Sequence, residues 1–215
     1  MEAASIHHHP AQGASPPVAA ERPVASSWSP ANPAPLGLAA FAMTTFVLSM
    51  FNANLVNEKG VPVVLGLALV YGGIVQVLAG MWEFRAGNTF GAVAFSSFGA
   101  FWISFWALEV FYAKSIGGNV GHSVGVYLWA WAIFTAYMTV AALRVNAAVL
   151  LVFMLLTVTF VLLAIGAVGA HTTVTHWGGY LGLATAAAAW YASFAAVVNS
   201  TFGRTVMPLI PLGER

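Results

Sequence analysis

Six apolar runs, each about long enough to cross a lipid bilayer, leave this chain few folds to choose from. They are Leu36–Val56, Val61–Met81, Phe90–Ala113, Val124–Leu143, Ala147–Val168 and Trp177–Val198. A membrane-crossing helix needs roughly 20 such residues. The runs are continuous rather than alternating, and about twice as long as a barrel strand, so they predict helices. The breaks carry the polar and Gly punctuation: NEKG at 57–60, EFRAGN at 83–88, AKSIGGN at 113–119, RVN at 144–146 and GAHTT at 169–173. The expected fold class is an all-α membrane protein, a bundle of six transmembrane helices. Composition excludes the alternatives. Only 6% of the 215 residues are charged, and none is Asp, where a soluble domain carries about 25%. So few charges cannot cover a water-facing surface, which removes a soluble enzyme. A net charge of +1 gives nucleic acid no basic patch to bind. The absence of cysteine removes disulfides, thiolate metal sites and Cys nucleophiles together.

The chain divides unevenly. Residues 1–31 are rich in Pro, Ala and Ser without an apolar run, and such a composition predicts a disordered tail, not a signal peptide. The run His7–His9 within it reads as inert rather than metal-binding. Residues 32–208 form the transmembrane domain, and 209–215 a short C-terminal tail. With six spans, Arg22, Arg85, Arg144, Arg204 and Arg215 share one side of the membrane, and only Lys59 and Lys114 the other. The positive-inside bias then puts both termini in the cytoplasm.

Twenty-one glycines suit close helix approach in a bilayer. Gly87 and Gly91, Gly121 and Gly125, and Gly178 and Gly182 are each spaced to share a helix face. They serve either packing within one bundle or contact between subunits.

Polar residues inside the spans are few, so each is informative. Thr44, Thr45 and Asn52 in span one and Gln76 in span two are the candidate polar lining of a path. Phe41, Thr45, Leu48 and Asn52 fall on one helical face, and Gln76 is flanked by Gly72, Gly73 and Gly80. The competing reading is that these groups only bond between helices. No Lys or Arg lies at mid-span, so a passing anion meets neutral donors. A bare carboxylate in a dry core costs several kcal/mol or more. It must stay partly hydrated or pass as the neutral acid, which at pH 7 is about one molecule in 500 for a group titrating near 4.3. His122, His171 and His176 map to the outer side. His171 and His176 are five apart, not the four of a helical zinc pair, and no HExxH, GxSxG or Asp pair occurs, so neither metal nor cofactor is called for and an intramembrane hydrolase is disfavoured.

Four segments carry a family resemblance: NPAPLGL at 32–38, YGGIVQVLAGMWE at 71–83, GNTFGAVAFSSFGAFW at 87–102 and FGRTVMP at 202–208. Together they resemble the acetate uptake transporter family, which includes succinate-acetate permeases of bacteria and acetate/ammonia-related plasma-membrane proteins of fungi. Asn32, Pro33, Pro35, Gly37, Tyr71, Gly72, Gly73, Glu83 and Asn88 are the motif positions. The resemblance implies a path within each protomer, a cyclic homo-hexamer, and a multi-pass protein of a bacterial inner membrane or fungal cell membrane. It implies acetate, and in some members succinate, moving with protons or through a channel. It also aligns Phe41, Phe98 and Leu156 with the family's hydrophobic constriction, where many bacterial members have Tyr in place of Phe98. Two other expectations stay open: ammonia or ammonium export, and a hexameric acid-sensing scaffold without flux.

Overall fold

The computed structural model describes residues 28–213; the expected tail and its His7–His9 run fall almost wholly outside them. Six membrane-length helices follow one another: α1 (Ala34–Asn52), α2 (Pro62–Ala86), α3 (Thr89–Ser115), α4 (Val120–Ala142), α5 (Ala147–Gly169) and α6 (Thr172–Phe202). No strand occurs among the described residues. All six expected spans are present, with shifted ends. The α1 helix stops at Asn52, short of Val56, while α2 runs on through Glu83 and Arg85 to Ala86. The break expected at 169–173 shrinks to two residues between α5 and α6.

The polar residues of the breaks are the helix caps. Asn88 starts α3 by accepting from the Gly91 amide (3.1 Å), Asn119 starts α4 through His122 (3.2 Å), and Asn146 starts α5 through Val149 (2.9 Å). Such caps satisfy amides that a helix start leaves without partners. The Asn32 side chain accepts from Ala34 at the start of α1 (3.0 Å), and Pro35 occupies the first turn, where a missing N–H costs nothing. Gly87 closes α2 with φ 77°, a left-handed conformation that glycine adopts freely.

Two spans are interrupted by π turns, at Val70–Val75 in α2 and Leu108–Tyr112 in α3. A π turn inserts one extra residue into the helical register. In α2 the buried positions run Val64, Ala68, Gly72 by fours, and then resume at Gly73, Gln76, Gly80 and Glu83. The inserted residue keeps one face inward along the whole span and brings Gln76 and Glu83 onto it.

The helices neighbour one another in a ring. The α1 helix packs along α6, α6 along α5, α5 along α4, and α2 along α3 and α1. Aromatic side chains join α3 to both α4 and α5: Phe98 meets Phe134 at 5.3 Å and Phe153 at 6.0 Å, and Phe101 meets Trp131 at 5.2 Å and Phe160 at 5.3 Å between ring centroids. The spaced glycines serve this bundle. A Cβ on Gly178 would strike Leu163 (2.8 Å), Gly182 abuts Ser49, and Gly121 and Gly125 abut Ala167 and Val168. Gly87 lies outside any helix, so it shares no face with Gly91. The pairs at 121/125 and 178/182 are therefore contacts within one protomer.

After α6 the chain folds back. The Asn199 side chain accepts from the Val206 and Met207 amides and donates to the Met207 carbonyl, at 2.7–2.9 Å. The Ile210 carbonyl then accepts from Ala147, and Leu212 donates to Val145. This strap ties the end of α6 to the α4–α5 turn.

Candidate functional site

A cavity of about 220 Å³ opens among the helix starts at one end of the bundle. Its rim carries Asn32, Asn88 and Asn146, which precede α1, α3 and α5, and the strap adds Leu209. Phe41, Phe98 and Leu156 also line it. They lie seven to nine residues into those helices, about 10–14 Å deep at 1.5 Å per residue. Gln76 reaches the cavity from α2 at a similar depth. The first turns of three helices therefore face the mouth. Each helix start carries a partial positive charge of roughly +0.5. The walls below are apolar, with Leu38, Phe95, Val149 and Phe153 among them.

Phe98 is the hub of the deep end. It is 3% exposed, and its ring meets Phe41 at 5.6 Å, Phe134 at 5.3 Å, Phe153 at 6.0 Å and Phe160 at 6.5 Å. Three residues spread over more than a hundred positions of the chain are thus brought together at the bottom of one cavity. The aromatic partners Phe153, Phe160, Trp131 and Phe134 were not singled out in the sequence. A Phe in an apolar run carries no local sign of which neighbour it meets.

The candidate polar residues separate into two groups. Gln76 is 1% exposed, and neither its amide nitrogen nor its oxygen has a hydrogen-bond partner. Leaving a buried amide unpaired costs about 1–3 kcal/mol, so it is a group poised for something in the cavity. Thr44, by contrast, does not line the cavity. Its hydroxyl donates to the Ala40 carbonyl (2.9 Å), and Gly72 leaves room for it, since a Cβ there would lie 2.6 Å from Thr44 Oγ1. The hydroxyl of Thr45 is buried and unpartnered, one turn beyond Phe41 and outside the cavity lining. Asn52 ends α1, where its backbone rests on Gly179 of α6, and it too lies away from the cavity.

Of the motif residues, Asn32 and Asn88 lie on the rim and the others pack around it or along α2. Gly37 admits the Phe95 ring, 2.6 Å from where its Cβ would be. Pro33 is buried, and the Pro35 carbonyl accepts from Ser193 of α6 (2.7 Å). Gly73 and half-buried Tyr71 lie in the π turn before Gln76. Glu83 is 1% exposed, and its Oε2 accepts from Asn88 Nδ2 (2.8 Å). Asn146 and Leu209 on the rim were missed. An Asn directly before an apolar run is a cap signal, and it was available for Asn146; nothing local marks Leu209.

These features define a six-span membrane protein built around an internal cavity with a polar rim and an aromatic floor. The chain belongs to the GPR1/FUN34/yaaH family, whose pattern matches residues 16–214. It is 39% identical over 180 residues to the succinate-acetate/proton symporter SatP of Escherichia coli, covering 83% of this chain and 95% of that protein. It is 44% identical over 175 residues to ammonia transport outward protein 2 of Saccharomyces cerevisiae, covering 79% of this chain. The chain spans 62% of the length of that yeast relative. Among solved structures it resembles the one described as the bacterial acetate channel SatP, with TM-score 0.79 and 39% identity, covering 84% of this chain and 99% of that one.

Proposed function

We propose that this protein moves acetate, and other short carboxylates such as succinate, across a plasma membrane together with protons, as a cyclic homo-hexamer with a path in each protomer. The observation that carries this reading is the cavity. Its rim of helix starts and asparagines suits a carboxylate, its apolar walls suit a methyl group, and Gln76 supplies a neutral amide at the floor. Among the described residues, none of those lining it is a Lys, Arg or His, so a carboxylate is attracted without being trapped by a fixed charge. Phe41, Phe98 and Leu156 form the apolar constriction, which passes small solutes and holds back hydrated ions by dewetting. The names of the bacterial relative and of the solved structure support the same substrate. On this reading the asparagine rim faces the cytoplasm.

Ammonia or ammonium export is the second reading. It rests on the yeast relative's name and on the aromatic floor, since aromatic faces attract cations. The test is the full chain in liposomes, with labelled acetate in one arm and labelled methylammonium in the other. Protein-dependent acetate uptake is expected. Methylammonium flux without acetate flux moves the assignment to the second reading, and no flux of either from a folded oligomer leaves a scaffold.

A further inference from the structure

Among the described residues, Glu83 is a buried ionisable group that the path itself does not use. It sits on the inward face of α2, two turns from Gln76 and three residues from the helix end, just behind the cavity mouth. Only one of its carboxylate oxygens is partnered: Oε2 takes the Asn88 amide, and Oε1 has no hydrogen bond. Asn88 is held at both ends of its amide, because its own oxygen caps α3 through Gly91. Gly91 in turn leaves space for the carboxyl; a Cβ there would lie 2.7 Å from Glu83 Cδ. Both Asn88 and Gly91 line the cavity.

Among the described residues, no cation offsets this carboxylate from the elements packed against it, which are α1 and α3. The α1 helix bears no titratable side chain. Those of α3 – Glu109, Tyr112 and Lys114 – lie at its opposite end. On α2 itself, Arg85 turns away: its Nη2 donates to the Trp28 carbonyl at 3.1 Å, and its guanidinium lies 5.2 Å from the centroid of that residue's ring. What holds the charge is one amide and the positive start of α3. Those are also what a carboxylate entering the mouth meets.

We propose that Glu83 is the proton-binding residue that couples proton movement to carboxylate movement, acting through Asn88. The inference rests on the acetate reading above. With Glu83 ionised, its negative charge and its hold on Asn88 compete with an entering anion. When Glu83 takes a proton, its negative charge disappears and its hold on Asn88 Nδ2 weakens, which leaves an amide N–H for the anion while Oδ1 keeps its cap on Gly91. Proton binding and anion binding therefore favour each other, and by linkage each strengthens the other by the same factor, about 5–150-fold for couplings of this kind. One proton and one monocarboxylate then cross together with no net charge.

The test is electrical, on the full chain in liposomes with protein-free vesicles subtracted. An imposed potential of about 60 mV, positive inside, shifts a monovalent anion's equilibrium about tenfold. The wild type is expected to ignore it. Glu83→Gln, which keeps an oxygen for Asn88 but cannot cycle a proton, is expected to conduct acetate and to accumulate it about tenfold on that potential. Glu83→Asp is expected to restore indifference. A wild type that follows the potential overturns the proposal while leaving acetate transport intact, and so does a folded Glu83→Gln oligomer that is inactive or indifferent. No acetate flux in the wild type overturns the acetate reading itself. Where Glu83→Gln fails to assemble, the native protein decides. Acetate binding to the native oligomer, measured by calorimetry in two buffers of different ionisation enthalpy, is expected to take up protons; binding with no proton uptake overturns the coupling.

Discussion

The two halves of the bundle treat buried polar groups in opposite ways. In α4–α6 each buried hydroxyl is spent on a backbone carbonyl. Thr135 donates to Trp131, Thr159 to Leu155, Thr185 to Leu181, and Ser193 to Pro35. Between α4 and α5, Thr139 and Thr157 also meet each other at 3.0 Å. In α1–α3 Thr44 bonds back to Ala40 in the same way, but several other buried groups are left open. Among the described residues, the unpartnered buried polar atoms belong to Thr45, Gln76, Glu83, Ser96 and Trp102, all on these three helices. Each such atom costs roughly 1–3 kcal/mol, so the fold concentrates the expense on one side. The difference teaches where to look: hydroxyls bonded back to their own helix keep nothing for a solute, and open groups mark the side that handles one. The amide of Gln76 lines the cavity directly, and Glu83 stands behind its rim.

The largest expected effect tests which way this open side faces. The chain has no cysteine of its own. Cysteine at Ile116 is expected to be labelled from outside by a membrane-impermeant reagent, and cysteine at Ala86 only after permeabilisation. The reverse pattern turns the asparagine rim outward and overturns the arginine-distribution argument.

Next comes the open amide itself. Gln76→Leu is expected to lower acetate flux about 10–100-fold, the loss of one buried polar contact, while thermal stability and assembly hold. A lower melting temperature with undiminished flux per folded protein makes Gln76 a strut like Thr157 and erases the contrast between the halves.

A smaller effect is expected at the floor. Phe98→Ala removes the ring on which Phe41, Phe134 and Phe153 converge. The pore reading gives faster acetate passage and about tenfold weaker rejection of succinate, the scale of discrimination set by one apolar contact. A core role instead gives a loss of about 3–5 kcal/mol of stability. Substrate competition and thermal melts on the same sample separate the two.

The smallest change belongs to the satisfied half. Thr157→Val deletes its bonds to Thr139 and to the Phe153 carbonyl. Interhelical hydrogen bonds in membranes average about 0.6 kcal/mol, so a drop of that order in stability is expected, with flux unchanged. A fall in flux comparable to that of Gln76→Leu breaks the comparison outright.

The number of spans, their limits within a few residues, and the family were legible in the sequence. Apolar length is a local property, and a bilayer imposes it span by span. The rim asparagines were half legible: capping is local and readable, but that three caps converge on one mouth is not. Gln76 stood out because an amide in an apolar run is rare. The same argument nominated Thr44, whose hydroxyl bonds instead to the carbonyl one turn back, a choice that depends on rotamer rather than on composition. The meeting of Phe41, Phe98 and Leu156 was supplied by resemblance, and their aromatic neighbours by nothing local. The glycine pairs at 121/125 and 178/182 gave a spacing without a partner; packing assigned them to helices of the same protomer.

By itself, then, the sequence determined that six helices cross a membrane, because burial in lipid is decided residue by residue along the chain. Only the tertiary structure decided which polar groups stay open, because a partner for Gln76 or Glu83 is a matter of which helices pack together and in what register. Two π turns, each adding one residue to a span, shift that register.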